Sequence, residues 1–208
     1  MDKKIFILLP DGVGLRNFAF TDFHQIGVDL GFHITFWNST LFNLSNLGFE
    51  EIKIENPKFR ENPITIRQLV THTSSIRDNE EYLHRAWILN DTINLEKNLK
   101  IDIGVCRFSA PSTAVSMEDF LINVLTENGK WFKPTTFNDH KPGQIFEYSN
   151  MGTTLAALIL EKATGEKFDE FTEKYIFQPL KMESTGWGLR SIDMKKHSRL
   201  YIDKKTAY

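Results

Sequence analysis

The sequence predicts an α/β chain: a short strand–helix–strand beginning, followed by a mostly helical α+β lobe. Two observations carry this prediction. The run Ile5–Leu9 is continuously apolar, which is typical of a strand buried on both faces of a parallel sheet. From Glu55 onward the chain changes to helical periodicity with explicit capping residues. We therefore expect two parts: residues 1–54 as a short βαβ-like segment of uncertain origin, and residues 55–208 as a larger domain.

The first segment is expected to run from strand to helix to strand. A turn at Asp11–Gly14 follows the apolar run, and a helix is predicted over Asn17–Leu30 with Gly31 as its terminator. The stretch His33–Trp37 is rich in β-branched and aromatic residues, which favours a second strand.

Two glycines at the first junction raise a second interpretation of this segment. Glycines between a strand and a helix let backbone N–H groups approach a phosphate, so Gly12 and Gly14 are candidates for a nucleotide-sugar site. The third position of the dinucleotide fingerprint is Asn17, and the second strand ends in Trp37 and Asn38 without an acidic residue that could bind a ribose. A structural turn is the favoured interpretation, and nucleotide-sugar binding is an alternative.

Four helices are predicted after residue 55. Thr65 is placed to cap the first, whose apolar face would be Ile66, Leu69 and Val70. Ser116 is placed to cap the second, which Gly129 would end. The other apolar faces follow three-and-four spacing: Phe120, Leu121, Val124 and Leu125 in the second helix; Met151, Leu155, Leu158 and Ile159 in the third; and Phe168, Phe171, Tyr175 and Ile176 in the fourth. Gly165 would end the third helix.

Charge and hydropathy argue against several classes of protein. The formal net charge is -2 and the isoelectric point is near 6.3, which argues against an electrostatic nucleic-acid binder. No apolar segment approaches the roughly 20 residues of a membrane span. The amino-terminal apolar run stops at Pro10 and Asp11, so we expect no signal peptide in this chain; its localisation is left open.

The residue pattern does not favour a metal or a cofactor. Cys106 is the only cysteine, so the chain has no intramolecular disulfide or multi-cysteine metal site, and we expect a small buried filler there. The six histidines lack the short spacing that is typical of metal ligands. His72 lies inside the THTS turn and is expected to hydrogen bond to backbone.

Four motifs occur in one order over most of the chain after residue 55. They are LVTHTSSI at Leu69–Ile76, PGQIFEYSNMG at Pro142–Gly152, LILEKATGEKFDEF at Leu158–Phe171 and IFQPLKMESTGW at Ile176–Trp187. Together they resemble the serine hydrolases related to class C β-lactamases and penicillin-binding proteins. The resemblance implies part of the β-lactamase/transpeptidase-like fold over residues 55–208.

The resemblance also implies roles for two side chains. Acyl transfer needs a serine whose proton is removed as it attacks, and a group that returns a proton to the leaving atom. In this family a Tyr-x-Asn loop places the tyrosine oxygen against the nucleophile and a lysine ammonium. Tyr148 would be the proton shuttle, and Asn150 would orient the lysine and bind a substrate carbonyl. Ser149 is expected to be a turn serine that precedes the next helix.

The nucleophile that the family requires is missing from the sequence. It belongs to a Ser-x-x-Lys motif, whose spacing places both side chains on one helix face. No serine in the 208 residues has a lysine three positions later. Ser74 has Arg77 at that spacing, but arginine stays protonated. Thr164 has Lys167, but a helix end lies between them. We interpret both pairs as coincidences.

The family's Lys-Thr-Gly or His-x-Gly triplet is expected to follow residue 208, and Lys205-Thr206-Ala207 is interpreted as a false match. We expect residues 55–208 to be a partial serine hydrolase domain. The family that it resembles cleaves β-lactams, D-alanyl peptides or esters, and we expect that this chain does not perform that reaction. The expected ligand is a small molecule or peptide. The alternatives are a non-catalytic lobe that binds peptide or glycan, and a nucleotide-sugar fragment at Gly12 and Gly14.

Overall fold

The computed structural model describes residues 3–9, 12–40, 42–89, 102–103, 106–188, 191–193 and 195–196 of the 208-residue chain. Only the backbone is described at residues 102, 103, 106 and 107. The expectation that Cys106 is a buried filler therefore falls outside the described side chains, and Lys205-Thr206-Ala207 falls outside the described residues.

A small parallel sheet forms near the amino terminus. Strand β1 (Lys3–Leu9) pairs in parallel with β2 (Phe32–Asn38) along its full length. Strand β3 (Glu51–Ile52) pairs in parallel with the other edge of β2, so the strand order is β1-β2-β3. The predicted βαβ-like beginning is confirmed, and both long strands extend beyond their predicted ends.

The side chains of β1 alternate between two apolar cores. Ile7 and Leu9 lie in one core together with Leu15 from the connection to β2. Phe6 and Leu8 pack against the other core, on the opposite face of the sheet. A strand whose two faces are both covered needs a continuous apolar run, which is the pattern that the sequence shows.

The connection from β1 to β2 is helical, but the continuous helix predicted over Asn17–Leu30 is wrong. A single turn, α1 (Gly12–Gly14), passes into a π-helical turn (Leu15–Ala19), and a separate helix α2 (Phe23–Asp29) follows. At the break, the Thr21 hydroxyl donates to the carbonyl of residue 17 and accepts from the N–H of residue 23. Such local side-chain bonds compete with the helix ladder.

Within the described residues, five α-helices follow β3. They are α3 (Ile66–Val70), α4 (Glu80–Arg85), α5 (Met117–Leu125), α6 (Asn150–Thr164) and α7 (Phe168–Thr172), which continues as a π-helical turn (Glu173–Phe177). A two-stranded antiparallel pair, β4 (Asp102–Ile103) and β5 (Cys106–Arg107), lies between α4 and α5. Of the helices described, none is both long enough and apolar enough to cross a bilayer.

Side-chain caps begin α3 and α5 where the sequence predicts them. Thr65 Oγ1 accepts from the Gln68 N–H at 3.3 Å, and Gln68 Oε1 accepts from the Thr65 N–H at 2.9 Å, which completes a capping box. Ser116 Oγ accepts from the Asp119 N–H at 3.0 Å. Helix α5 ends at Leu125, earlier than the predicted stop at residue 129.

The predicted apolar helix faces are only partly buried. Leu121, Val124 and Leu125 of α5 are buried, and Phe120 packs against the edge of the same core. Four residues of the other predicted apolar faces are 41–59% exposed: Ile66, Val70, Tyr175 and Ile176. Three-and-four spacing defines which side chains share a face, but it does not determine whether another element covers that face.

The chain divides into two compact units, Met1–Ile159 and Leu160–Tyr208. In the first unit, one core collects side chains from before and after residue 54, including Trp37, Leu69 and Leu155. The boundary predicted near Ile54 concerns the origin of the two segments, and it stays a prediction.

The second unit contains a small aromatic contact. The rings of Phe168 and Trp187 meet edge to face with their centroids 5.1 Å apart. The indole Nε1–H of Trp187 donates to Thr172 Oγ1 at 2.7 Å. These bonds hold the segment after the π-helical turn against α7.

Candidate active site

Two loops form the backbone platform of the candidate site. Residues 75–77 pair with residues 136–138 through the bonds Arg77 N–H to Thr136 O (2.9 Å) and Asn138 N–H to Ser75 O (2.9 Å). The adjoining turn at residues 72–75 also holds the loop that leads to α6. The Gly143 N–H donates to the carbonyl of residue 73 at 2.7 Å, and the N–H of residue 147 donates to the carbonyl of residue 72 at 2.8 Å.

The turn at residues 72–75 contains two residues in the left-handed region, His72 (φ 54°) and Ser75 (φ 68°). This conformation is costly for a residue with a Cβ, so both residues need compensating contacts to hold it. Here the buried hydroxyl of Ser75 donates to the carbonyl of His140 at 2.8 Å and accepts from Asn56 Nδ2 at 2.7 Å. The serine therefore ties three segments together.

The start of α6 is capped by two side chains. Ser149 Oγ accepts from the Gly152 N–H at 2.9 Å, and the serine is fully buried. The Asp78 carboxylate accepts from the backbone N–H groups of Asn150 (3.1 Å) and Met151 (2.9 Å). These bonds satisfy donors that have no partner inside a helix, and they place a negative charge at the positive end of the helix dipole.

The same carboxylate fixes the two predicted site residues. Asn150 Nδ2 donates to Asp78 Oδ2 at 2.6 Å, which directs Asn150 Oδ1 toward the tyrosine. The Tyr148 hydroxyl donates to that Oδ1 at 3.1 Å. A chain of hydrogen bonds thus runs from Tyr148 through Asn150 to Asp78, and it sets the orientation of the amide without any contribution from a ligand.

His72 supports the tyrosine ring from one side. The two ring centroids are 4.6 Å apart, with 37° between the ring planes. His72 Nδ1 accepts from the Ser149 N–H at 3.3 Å, which confirms the predicted bond between this histidine and the backbone. Tyr148 is 61% exposed and the neighbouring Phe146 is 68% exposed. The site is therefore an open aromatic surface beside a fixed amide.

The structure brings Tyr148 and Asn150 together, while Ser149 points inward as a cap. The role of Ser149 as a turn serine before the helix is confirmed. In the part of the chain that the structure describes, no lysine side chain and no serine hydroxyl hydrogen bonds to the Tyr148 hydroxyl. Ser74 is buried and its Oγ accepts from the Ile76 N–H at 3.3 Å, whereas Arg77 is exposed, so this pair does not form a catalytic arrangement.

Asp78 is the site residue that sequence reasoning missed. It is 72 residues before Asn150 in the chain, and no spacing rule connects an aspartate after a turn to a helix start that far away. Its position two residues after the Leu69–Ile76 motif was the available signal. Gly12 and Gly14, the alternative site, lie in the helical turn α1, and nucleotide-sugar binding there stays a prediction. Among the described residues, no group of three metal-binding side chains is arranged to hold a metal ion.

Comparisons with known proteins agree with the motifs. The β-lactamase family model matches residues 51–207. Penicillin-binding protein 4* of Bacillus subtilis (strain 168) is 26% identical over 141 residues, which cover 67% of this chain and 25% of that protein. Protein flp of Staphylococcus aureus (strain MW2) is 28% identical over 99 residues, which cover 46% of this chain and 18% of that protein. The chain thus spans about a quarter or less of the length of these relatives.

The similar solved structures include one that aligns with part of the chain. It is the D-amino acid amidase from Ochrobactrum anthropi SV3 in complex with D-phenylalanine, with a TM-score of 0.42 and 21% sequence identity. The alignment covers 70% of this chain and 32% of the amidase.

The family match defines the class as β-lactamase-related proteins with a β-lactamase/transpeptidase-like fold. Over residues 51–207 this chain belongs to the β-lactamase family. The predicted resemblance and fold class are confirmed.

Replacing Asp78 with asparagine tests the cap of α6. We expect Asp78→Asn to lower the free energy of unfolding by about 2 kcal/mol. The asparagine side chain has only one acceptor oxygen, and its NH₂ group would face backbone N–H groups that are donors themselves. Urea denaturation measures this. Asp22→Asn is the matched control, since Asp22 is exposed and caps α2 without a side-chain bond; it should change stability by less than about 0.5 kcal/mol. Equal effects of the two variants would contradict the assignment.

Two substitutions at Ser75 separate backbone strain from hydrogen bonding. Ser75→Ala keeps a Cβ at φ 68° and loses both hydroxyl bonds, so it should destabilise the protein by about 1–3 kcal/mol. Ser75→Gly loses the same bonds but removes the left-handed penalty, so it should be about 1 kcal/mol more stable than the alanine variant. Thermal and urea unfolding measure the difference. A glycine variant no more stable than the alanine variant would show that the backbone at residue 75 is not strained.

Proposed function

We propose that this chain carries the proton-handling edge of an acyl-serine hydrolase site, and that these 208 residues alone do not form an acyl-enzyme. Tyr148 would exchange the proton, and Asn150 would hold the substrate carbonyl. In relatives this edge would act on a β-lactam, a D-alanyl peptide or an ester. The single observation that supports the proposal is the hydrogen-bonded chain Tyr148–Asn150–Asp78, built into the start of α6.

The geometry suits this role because the two polar groups are held before any substrate arrives. Asn150 uses one donor on Asp78 and its oxygen on Tyr148, so the second hydrogen of its amide group can donate to a carbonyl oxygen. The Tyr148 hydroxyl stands on an exposed ring, where it can reach an incoming group. Groups fixed in advance contribute to catalysis because they need no reorganisation during the reaction.

The chemistry nevertheless requires a nucleophile and a partner for its proton. No serine of the sequence has a lysine three residues later, and the Tyr148 hydroxyl contacts the Asn150 amide instead of a lysine ammonium. Acylation would need a serine–lysine pair from outside these 208 residues. For this chain alone, we infer binding without bond cleavage.

Covalent probes test this inference. A fluorescent penicillin and a fluorophosphonate probe should leave the folded chain unlabelled, because neither finds an activated serine. Gel fluorescence and intact mass spectrometry measure labelling, with a serine penicillin-binding protein as the positive control. Stoichiometric labelling of any serine in the folded chain would overturn the proposal if the same labelling is absent from a sample that is heat-denatured before the probe is added.

A second candidate function is recognition of a peptide or glycan without catalysis. It is favoured by the exposed side chains of Ile145 (51%), Phe146 (68%) and Tyr148 (61%) beside the fixed amide of Asn150. Aromatic faces flanking an oriented amide are a common way to hold a peptide backbone or a sugar ring.

Binding of a peptide that ends in D-alanyl-D-alanine tests this candidate. Saturable binding in calorimetry should weaken about tenfold in Tyr148→Phe combined with Asn150→Ala, because two hydrogen bonds are lost. Tyr175→Phe is the matched control, since the Tyr175 hydroxyl is also exposed but bonds to Glu166 in the second unit. Equal binding by both variants would exclude the Tyr148 surface as the recognition site.

A further inference from the structure

The first unit contains an apolar cavity that is separate from the Tyr148 site. Its volume is about 300 Å³. The walls are formed by apolar side chains of the sheet, of α3 and α6, and of the segment between β3 and α3: Leu8, Trp37, Ile54, Ile64, Leu69, Leu155 and Ile159. None of Tyr148, Asn150 and Asp78 lines it, so its occupancy is independent of the function proposed above.

The cavity lies where open α/β sheets bind small molecules, at the carboxyl ends of parallel strands. Leu8 is the second-last residue of β1, Trp37 is the second-last residue of β2, and Ser39 directly follows β2. The volume is at the lower end of the range for ligand pockets and about twice that of an engineered apolar cavity that binds benzene. It accommodates on the order of ten non-hydrogen atoms, at about 30 Å³ for each water-sized group.

The polar groups of the cavity point to the charge of its ligand. Ser39, Thr65 and Arg67 contribute to the lining, and Arg67 brings the only charge. Among the described residues, the Arg67 guanidinium has no carboxylate partner and the Ser39 hydroxyl has no hydrogen-bond partner. A cation and a free hydroxyl beside an apolar chamber complement an anion with a short apolar tail.

We propose that this cavity binds a small aliphatic carboxylate, with the hydrocarbon chain among Trp37, Leu69 and Leu155 and the carboxylate at Arg67. A straight-chain acid of about eight carbons matches the volume. An exposed arginine contributes weakly, so burial of the chain supplies most of the affinity and the guanidinium supplies the preference for an anion.

Three probes of equal chain length test the proposal on the full chain: octanoate, octan-1-ol and octylammonium. Calorimetry should show saturable one-to-one binding of octanoate, about fivefold weaker binding of octanol and still weaker binding of octylammonium. Arg67→Gln should reduce the affinity for octanoate about fivefold and leave octanol unchanged. Arg16→Gln, at an exposed arginine outside the cavity, should change neither.

Filling the cavity tests its location. Leu155→Phe should abolish binding of octanoate and octanol, and Ile66→Trp at the half-exposed edge serves the same purpose if the first variant does not fold.

Octanoate with a bromine at its end should quench tryptophan fluorescence, and Trp37→Phe should remove most of that quenching. The proposal is overturned if octanoate does not bind saturably, if Arg67→Gln binds it as well as the unaltered chain, or if the filled variants still bind it.

Discussion

The carboxylate of Asp78 at the start of α6 is the interaction on which the candidate site depends. It accepts two backbone N–H groups and the side-chain amide of Asn150, and Ser149 caps the next donor. Asp78 therefore sets the orientation of the site amide and, together with Ser149, the beginning of the helix. Because its acceptor oxygens face donors that cannot be satisfied within the helix, removing the carboxylate costs both helix stability and the position of Asn150.

The rest of the first unit holds that residue in place. The segment that carries Asp78 is paired with residues 136–138, and its left-handed turn at His72 and Ser75 bonds to the loop before Tyr148. The strained turn persists because Ser75 connects Asn56 and His140 through a buried hydroxyl. Packing of α6 through Leu155 and Leu158 anchors the other side. The cavity at the strand ends is bounded by the same helix, further from its amino terminus.

Features set by local chemistry could be predicted from the sequence. The apolar run of β1, the capping box at Thr65 and the cap at Ser116 depend on near neighbours, and Tyr148 and Asn150 followed from a motif. Three kinds of feature could not be predicted. The break at Thr21 depends on a side-chain bond that competes with the helix, and the exposure of Ile66 depends on what covers a face. Asp78 depends on a contact across 72 residues, which no local pattern contains.

Amide hydrogen exchange at the start of α6 tests the central claim most directly. In the unaltered chain the amides of Asn150 and Met151 should exchange slowly, because both donate to Asp78. In Asp78→Ala these two amides should exchange at least about tenfold faster, while the amide of Leu158 in the middle of the helix keeps its protection. If Asn150 and Met151 are equally protected in both proteins, Asp78 does not hold the site.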